Sequence, residues 1–227
     1  MSQPGKRYQK AQQLIEAKKS YSLEEAVALV KKTAGVKFDA SMEAHFRLGI
    51  DPKKGEQQVR GVVVLPHGSG KSKRVAVFAE GEKAEEGKKA GASLVGGEEL
   101  IKTIRSSEKI EFDVAIATPD MMKSLASIAK ILGPKGLMPS PKNETVTTDV
   151  ARTVKELMGG RVTFKNDDGG NVHQIVGKIS WDDTKLLENF RALHEAVRRA
   201  KPSTSKGVYF LNITLTSSMS PGVKVSM

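Results

Sequence analysis

Apolar residues recur with two different periods along the chain, and the period predicts where helices and strands lie. Near the N-terminus, helical spacing is found at residues 7–19 and 23–33, and a serine–glutamate capping box precedes the second of these segments. Alternating segments then follow at residues 37–50 and 58–66, which is typical of strands. The N-terminal part is thus predicted to form two helices followed by two strands.

The middle of the chain has another pattern, in which short apolar runs alternate with helical segments. The runs predicted to be strands are residues 74–79, 93–96 and 112–119. The segments predicted to be helices are residues 81–91, 97–106, 120–132 and 147–160, with Thr148 or Asp149 capping the last. Strands that alternate with helices indicate βαβ units and a parallel sheet.

After a glycine pair, strict alternation returns in the C-terminal part. It predicts strands at residues 161–167 and 171–181, joined by a glycine-rich hairpin turn, and a last strand at 207–219. Residues 182–200 carry the most strongly periodic helical pattern of the chain, and Asp182 and Asp183 are expected to cap this helix rather than to bind a metal.

Because the two ends share one pattern and the middle has another, we predict an α/β protein of two domains, the second inserted into the first. The first is an α+β domain formed by residues 1–67 and 159–227, and the second is a three-layer, Rossmann-like α/β domain of residues 68–158. Glycines lie near both crossings between the domains and are predicted to act as hinges. They are Gly68, Gly70, Gly159 and Gly160.

The charge is unevenly shared between these two parts. The chain has a formal net charge of +11, of which residues 1–67 and 159–227 carry +9 and residues 68–158 only +2. A basic protein of this kind suits a polyanion, which is RNA, DNA or an anionic membrane surface. Aromatic residues make up only 5% of the chain, whereas proteins that bind single strands stack bases on several aromatic side chains. This composition favours a folded RNA, recognised by shape, phosphates and ribose hydroxyls.

Several other classes of protein are excluded or disfavoured. The chain has no cysteine, which excludes disulfides and thiolate metal sites and fits a cytoplasmic protein. Its four histidines lack the spacing of metal ligands, and no catalytic arrangement of side chains is found, so neither a metal, a cofactor nor an enzymatic activity is expected. The N-terminus does not resemble a secretory signal, and no apolar run is long enough to span a membrane.

Two glycine-rich motifs suggest phosphate binding. Residues 68–72, GSGKS, resemble a phosphate loop, but the Walker pattern needs a glycine where Leu65 stands and a helix where a strand is predicted. A nucleotide-binding enzyme that uses the inserted domain is nevertheless the alternative hypothesis. Residues 133–136, GPKG, match the loop with which KH domains clamp a nucleic-acid backbone. The prolines that follow favour a simple connection within the inserted domain instead.

A series of longer motifs points to one family. The segments occur in the order GKRYQKA, KFDASMEAHFRLGID, VRGVVVLPHGSGK, ATPDMM, ILGPKGLMPSPK and TSSMSPGVKV. Together they resemble the bacterial L-one family of large-subunit ribosomal proteins, the proteins of the mobile stalk beside the tRNA exit site. The resemblance covers nearly the whole chain and implies the same fold, with one domain inserted into the other.

The resemblance also implies a function. It implies a structural constituent of the ribosome that binds a kinked helix of large-subunit ribosomal RNA, beside other ribosomal components, and assists release of the exit-site tRNA. It further implies a repressor of translation that binds the messenger RNA of its own operon. The expected location is the cytoplasm, on the ribosome.

The RNA contacts that the resemblance implies belong to three segments. They are Lys37, Phe38, Ser41 and Glu43, then Lys165, Asn166, Asp167 and His173, and finally Ser218, Met219 and Ser220. For Phe38 and Met219 the alternative is core packing, and for Glu43 and Asp167 it is a solvated surface carboxylate. The family usually reads Thr-Met-Gly-Pro at positions 218–221. We expect Ser220 to adopt a positive φ less readily than the glycine it replaces.

Overall fold

A computed structural model of the chain describes residues 5–16, 19–70, 73–107 and 109–227. The chain divides into two compact units, of which the first comprises Met1–Gly70 and Val162–Met227 and the second Lys71–Arg161. The divisions therefore follow residues 70 and 161, whereas the sequence pattern places them after residues 67 and 158. Within the ranges that the structure describes, no helix has the length and apolar character needed to cross a bilayer.

Helices and strands occur in the order that the sequence pattern predicts, except that strand β9 is additional and the helix predicted at residues 120–132 is divided in two. The helices are α1 (Lys6–Gln13), α2 (Leu23–Thr33), α3 (Glu82–Lys89), α4 (Glu98–Ser107), α5 (Met122–Leu125), α6 (Ala129–Leu132), α7 (Val150–Met158) and α8 (Asp183–Arg199). The strands are β1 (Ser41–Leu48), β2 (Arg60–Val64), β3 (Val75–Phe78), β4 (Leu94–Gly96), β5 (Val114–Ala117), β6 (Arg161–Lys165), β7 (Asn171–Lys178), β8 (Phe210–Ser217) and β9 (Val223–Lys224). The mixture of helices and strands in several sheets confirms the predicted α/β class.

The first unit is built around a four-stranded antiparallel sheet in the order β7-β1-β8-β9, with β2 and β6 paired separately. Helices α2 and α8 pack on one face of this sheet. Side chains alternate along β1, so that Met42, Ala44 and Phe46 are buried in the core. Phe46 stacks on Phe190 of α8, with ring centroids 5.9 Å apart. The intervening residues of β1 are left on the opposite, open face of the sheet.

The second unit has a three-stranded parallel sheet in the order β4-β3-β5. Val75 and Val77 of β3 pack with α7 in one cluster, and Ala76 and Phe78 pack in another with the segment that includes Leu132. Since successive side chains of a strand point to opposite faces, the two clusters form layers on either side of the sheet.

Two of the predicted helix caps are present, and one is missing. The Ser22 hydroxyl accepts from the N–H of Glu25 at 3.3 Å, and the Glu25 carboxylate accepts from the N–H of Ser22 at 3.1 Å, which confirms the capping box. Of the two candidates for α7, Asp149 is the cap, since it accepts from Arg152 N–H at 3.1 Å. Asp182 stands at the start of α8, but its side chain accepts no capping hydrogen bond from the helix.

The structure departs from the sequence prediction in the single helix expected over residues 120–132. A 3₁₀ turn, Ala126–Ile128, separates α5 from α6. The segment buries Leu125, Ile128 and Leu132 completely. Tighter winding over a few residues changes which side chains point to the sheet. The spacing of apolar residues in the sequence does not reveal such a local change of winding.

The glycine-rich motifs lie in connections. Gly68 and Gly70 have φ values of 71° and 72°, and Gly160 has a φ of 110°. Lys71 and Ser72 of the GSGKS motif lie outside the described residues, and strand β3 is the next element along the chain. In the GPKG motif, Gly133 directly follows α6, and Gly136 has a φ of 69°, which a left-handed turn requires.

Candidate nucleic-acid interface

The side chains that the sequence analysis singles out lie along β1, in two groups at the ends of that strand. Met42 pairs with Ser217, so the loop after β8 lies beside the start of β1. Arg47 pairs with Asn171, so the turn before β7 lies beside the end of β1. At a rise of about 3.4 Å per residue, these ends are roughly 20 Å apart. We call residues 37–41 with 217–221 the loop cluster, and residues 165–173 the hairpin cluster.

Hydrogen bonds join the two segments of the loop cluster. The N–H of Ser218 donates to the carbonyl of Ser41 at 3.1 Å, and the N–H of Ser41 donates to the Ser218 hydroxyl at 3.3 Å. Ser41 is itself buried. Both serines therefore fix the geometry of the loops, in addition to any contact that they make with a ligand.

Two large apolar side chains project from these linked loops. Phe38 is 56% exposed and Met219 is 71% exposed, so neither belongs to the core. Lys37 beside Phe38 is exposed as well. Exposed apolar side chains on adjacent segments are typical of a binding surface.

Met219 carries the unusual backbone conformation of the loop. Its φ is 61°, and Glu144 is the one other non-glycine residue with a positive φ in the described ranges. Ser220 has no positive φ, so the strain expected from replacing glycine at this position does not arise. The Ser220 hydroxyl instead donates to the carbonyl of Thr33 at 3.0 Å, a contact that glycine lacks.

Two histidines and a carboxylate lie between the two clusters, and we call the loop cluster, these three side chains and the hairpin cluster together the strip along β1. His45 pairs with His173 across the strands, and their Nδ1 atoms are 2.7 Å apart. Burial and the facing His173 together lower the pKa of His45 below its usual value, and Glu43 partly opposes this. Glu43 Oε2 lies 4.0 Å from His45 Nε2. This group presents hydrogen-bond donors and acceptors within one small area of the open sheet face.

In the hairpin cluster, Asn166 and Asp167 shape the turn. The Asp167 carboxylate accepts from the N–H groups of Asn171 at 2.7 Å and Gly169 at 2.9 Å. These bonds, of which those from Asn171 matter most, lower the pKa of Asp167 to about 2. Asn166 is only 6% exposed, and its side-chain amide bonds to the main chain of Val59 and Asp167 at 2.8 Å.

Lys165, His173 and the two carboxylates Asp167 and Asp168 are the exposed side chains of this cluster. His173 is held on both sides, because its Nε2 lies 3.4 Å from the Asp167 carboxylate while its Nδ1 faces His45. The hairpin thus presents one cation and one imidazole beside two carboxylates, of which Asp167 also stabilises the turn. No group of three or more His, Asp or Glu side chains in the described part of the chain is arranged to hold a metal ion.

Sequence reasoning missed three residues that support these clusters, namely Arg7, Thr33 and His45. The Arg7 guanidinium donates to the carbonyl of Met219 at 3.3 Å, and the carbonyl of Thr33 accepts from Ser220. Arg7 lies within the motif GKRYQKA, but a motif of this kind does not reveal a partner 212 positions away. The position of His45 on the same strand face as Glu43 is predictable from the strand period alone.

An open sheet face with lysine, histidine and exposed apolar side chains offers groups that can contact the phosphates, ribose hydroxyls and bases of an RNA. A family comparison agrees with RNA binding. The model of the ribosomal protein L1p/L10e family matches residues 30–221, and the chain belongs to this family. The protein is therefore a structural ribosomal protein that binds ribosomal RNA and is associated with the ribosome, and its family is not one of enzymes.

Proposed function

We propose that the protein binds the stalk helix of large-subunit ribosomal RNA through the strip along β1. The observation that carries this proposal is the pair of exposed apolar side chains, Phe38 and Met219, on two loops that are hydrogen-bonded to each other. Exposed apolar groups are costly in water, and a ribose or an unstacked base covers them well.

Each part of the strip has a distinct role in this proposal. Phe38 and Met219 cover nucleosides, and Lys37 and Lys165 contact phosphates at the two ends of β1. Glu43 accepts a hydrogen bond from a ribose hydroxyl, which distinguishes RNA from DNA. The buried Asn166 and the turn-forming Asp167 hold Lys165 and His173 in position.

The apolar contacts are tested by alanine variants with matched controls. Phe38→Ala and Met219→Ala should each weaken binding of a stalk ribosomal RNA fragment about tenfold or more in a filter-binding assay. Leu211→Ala and Val208→Ala are the controls, because these side chains are 53% and 71% exposed but lie outside the strip. Equal effects in all four variants would show that the exposed apolar side chains of the loops are not contacts.

The phosphate contacts are tested by salt dependence. Lys37→Ala and Lys165→Ala should each make the negative slope of the log association constant against log salt concentration shallower by roughly 0.7–0.9, the value for one phosphate contact. Lys206→Ala removes an exposed lysine outside the strip and should leave the slope nearly unchanged. The same slope in all three variants would indicate diffuse attraction to the whole basic unit.

The same surface is proposed to bind the messenger RNA of the protein's own operon and to repress its translation. This proposal rests on the motifs quoted above and on the requirement that the messenger resembles the stalk helix. A translational reporter carrying the operon leader should be repressed by the wild-type protein and released from repression by Met219→Ala. Repression that persists in this variant while stalk binding is lost would contradict a shared surface.

We further propose that the second unit moves about the two crossings during release of the exit-site tRNA. The hinge residues are taken to be Gly68, Gly70, Gly159 and Gly160. Ribosomes reconstituted without the protein should release a fluorescent exit-site tRNA more slowly than complete ribosomes do. Equal release rates would contradict a role in this step.

A further inference from the structure

One arginine of the N-terminal helix links one segment of the loop cluster to the main chain just before the other segment. Arg7 lies on α1, outside the residues 30–221 that the family model matches. Its NH2 group donates to the carbonyl of Met219 at 3.3 Å, and its NH1 group to the carbonyl of Gly35 at 3.5 Å. Gly35 immediately precedes the segment that carries Lys37 and Phe38. A single side chain thus reaches both of the loops from which the exposed apolar groups project.

The contact acts on the strained point of the loop. Met219 has a φ of 61°, a conformation that side-chain-bearing residues adopt only when their surroundings hold them there. A charge-assisted hydrogen bond to the Met219 carbonyl fixes the orientation of the following peptide plane. On the other side, a Cβ at Gly35 would lie 3.4 Å from both Cγ and Cδ of Arg7, so the arginine stem packs closely along the main chain there.

We propose that Arg7 is a positioning residue for RNA binding, which holds Phe38 and Met219 in one fixed arrangement before RNA arrives. This inference rests on the proposed function of the loop cluster. Pre-arranged loops bind more tightly because the entropy of ordering them is not lost on association. The guanidinium has five N–H donors, and its two NH groups already donate to the carbonyls of Gly35 and Met219. A direct contact between Arg7 and a phosphate would be a different role.

The first test uses the protein without RNA. Amide hydrogen exchange of Ser218 and Ser220 should become about tenfold faster in Arg7→Gln, while exchange at Val176 in the core of the sheet stays unchanged. Lys10→Gln is the matched control, because it removes one exposed cation from the same helix. It should leave exchange in the loop as in the wild type.

The second test measures binding of the stalk ribosomal RNA fragment at several salt concentrations. Arg7→Gln should bind about tenfold more weakly with an unchanged salt slope, and Lys10→Gln should bind nearly as the wild type does. Arg7→Lys keeps the charge but not the planar fork, so it should remain several-fold weaker. A phosphate contact made by Arg7 would instead change the affinity and the salt slope together.

The outcomes are distinguishable from a failure of the proposed function. If Arg7→Gln makes the negative salt slope shallower by roughly 0.7–0.9 and leaves loop exchange unchanged, Arg7 is a phosphate contact and positioning is refuted. Faster exchange with wild-type affinity also refutes it, since the order of the loop would then be irrelevant to binding. If the wild-type protein itself does not bind the fragment, the proposed function fails, and with it the positioning role that rests on it.

Discussion

Replacing Asn189 with alanine should destabilise the first unit strongly, because one side chain satisfies three main-chain groups. Asn189 lies on α8 and is 0% exposed. Its Oδ1 accepts from the N–H of His67 at 3.0 Å, and its Nδ2 donates to the carbonyls of Gly68 at 2.8 Å and Val176 at 2.7 Å. These bonds tie the chain that leads to the first crossing onto the sheet and the helix of the first unit.

The size of the effect follows from the groups that alanine would leave behind. A buried polar group without a partner costs about 1–3 kcal/mol. Two of the three groups lie in the connection after β2, where water reaches the N–H of His67 more easily than the carbonyl of Val176 in the sheet. We therefore expect a loss of about 3–5 kcal/mol, a large part of the total of about 5–15 kcal/mol that is typical of a folded protein.

The single tryptophan provides a selective assay for this unit. Trp181 packs against the core of the first unit, so its fluorescence in a urea titration reports the unfolding of that unit. With a denaturant dependence of about 2 kcal/mol per M, the midpoint should fall by roughly 2 M. Circular dichroism at the same urea concentrations follows both units together.

Asn212→Ala is the matched control for this change. Asn212 lies on β8, and its amide donates one hydrogen bond, to the Thr214 hydroxyl at 3.2 Å, while its Oδ1 has no partner among the described residues. Its loss should cost less than about 1 kcal/mol. If Asn189→Ala shifts the midpoint no further than Asn212→Ala does, the reasoning from unsatisfied main-chain groups is refuted.

Three further predictions concern pH, the loop after β8 and the second crossing. Burial lowers the pKa of His194, so as the pH falls the unfolded chain takes up this proton before the folded protein does. The free energy of unfolding should therefore decrease as the pH drops below about 6.5. The urea midpoints at pH 7.5 and 5.5 should differ less in His194→Gln than in the wild type. Ser220→Gly should cost about 1 kcal/mol by loss of the bond to Thr33, without tightening RNA binding, and tighter binding in the filter assay would contradict this. Gly160→Ala should destabilise the second unit by about 1 kcal/mol, because alanine adopts the φ of 110° poorly, and an unchanged thermal transition by circular dichroism would count against it.

The local pattern of apolar residues was sufficient to predict most helices and strands, because its period depends only on which side of an element faces the core. Helix α2 has the bounds of its predicted segment, and its capping box needs only residues three positions apart. Strand β1 likewise has its buried and open faces where alternation places them. The short strand β9 was missed, since two residues are too few to show a period.

The candidate site was only partly predictable in the same way. The resemblance named the residues, and the structure shows which of them are exposed and which shape the loops. Asn166 and Met219 illustrate the difference. Nothing local indicates that Asn166 is buried against Val59, or that the positive φ falls on Met219 rather than on Ser220.

By itself, the sequence determined the α/β class, the order of the elements and the basic character of the two chain ends, because each of these depends on composition or on residues close together along the chain. The tertiary structure alone decided that the loop cluster and the hairpin cluster lie along one strand, through the pairing of β1 with β7 and β8. It also decided that Arg7 meets Met219. Such contacts depend on strand register and on the packing of distant segments, and a hydrogen bond between residues 212 positions apart leaves no period in the sequence.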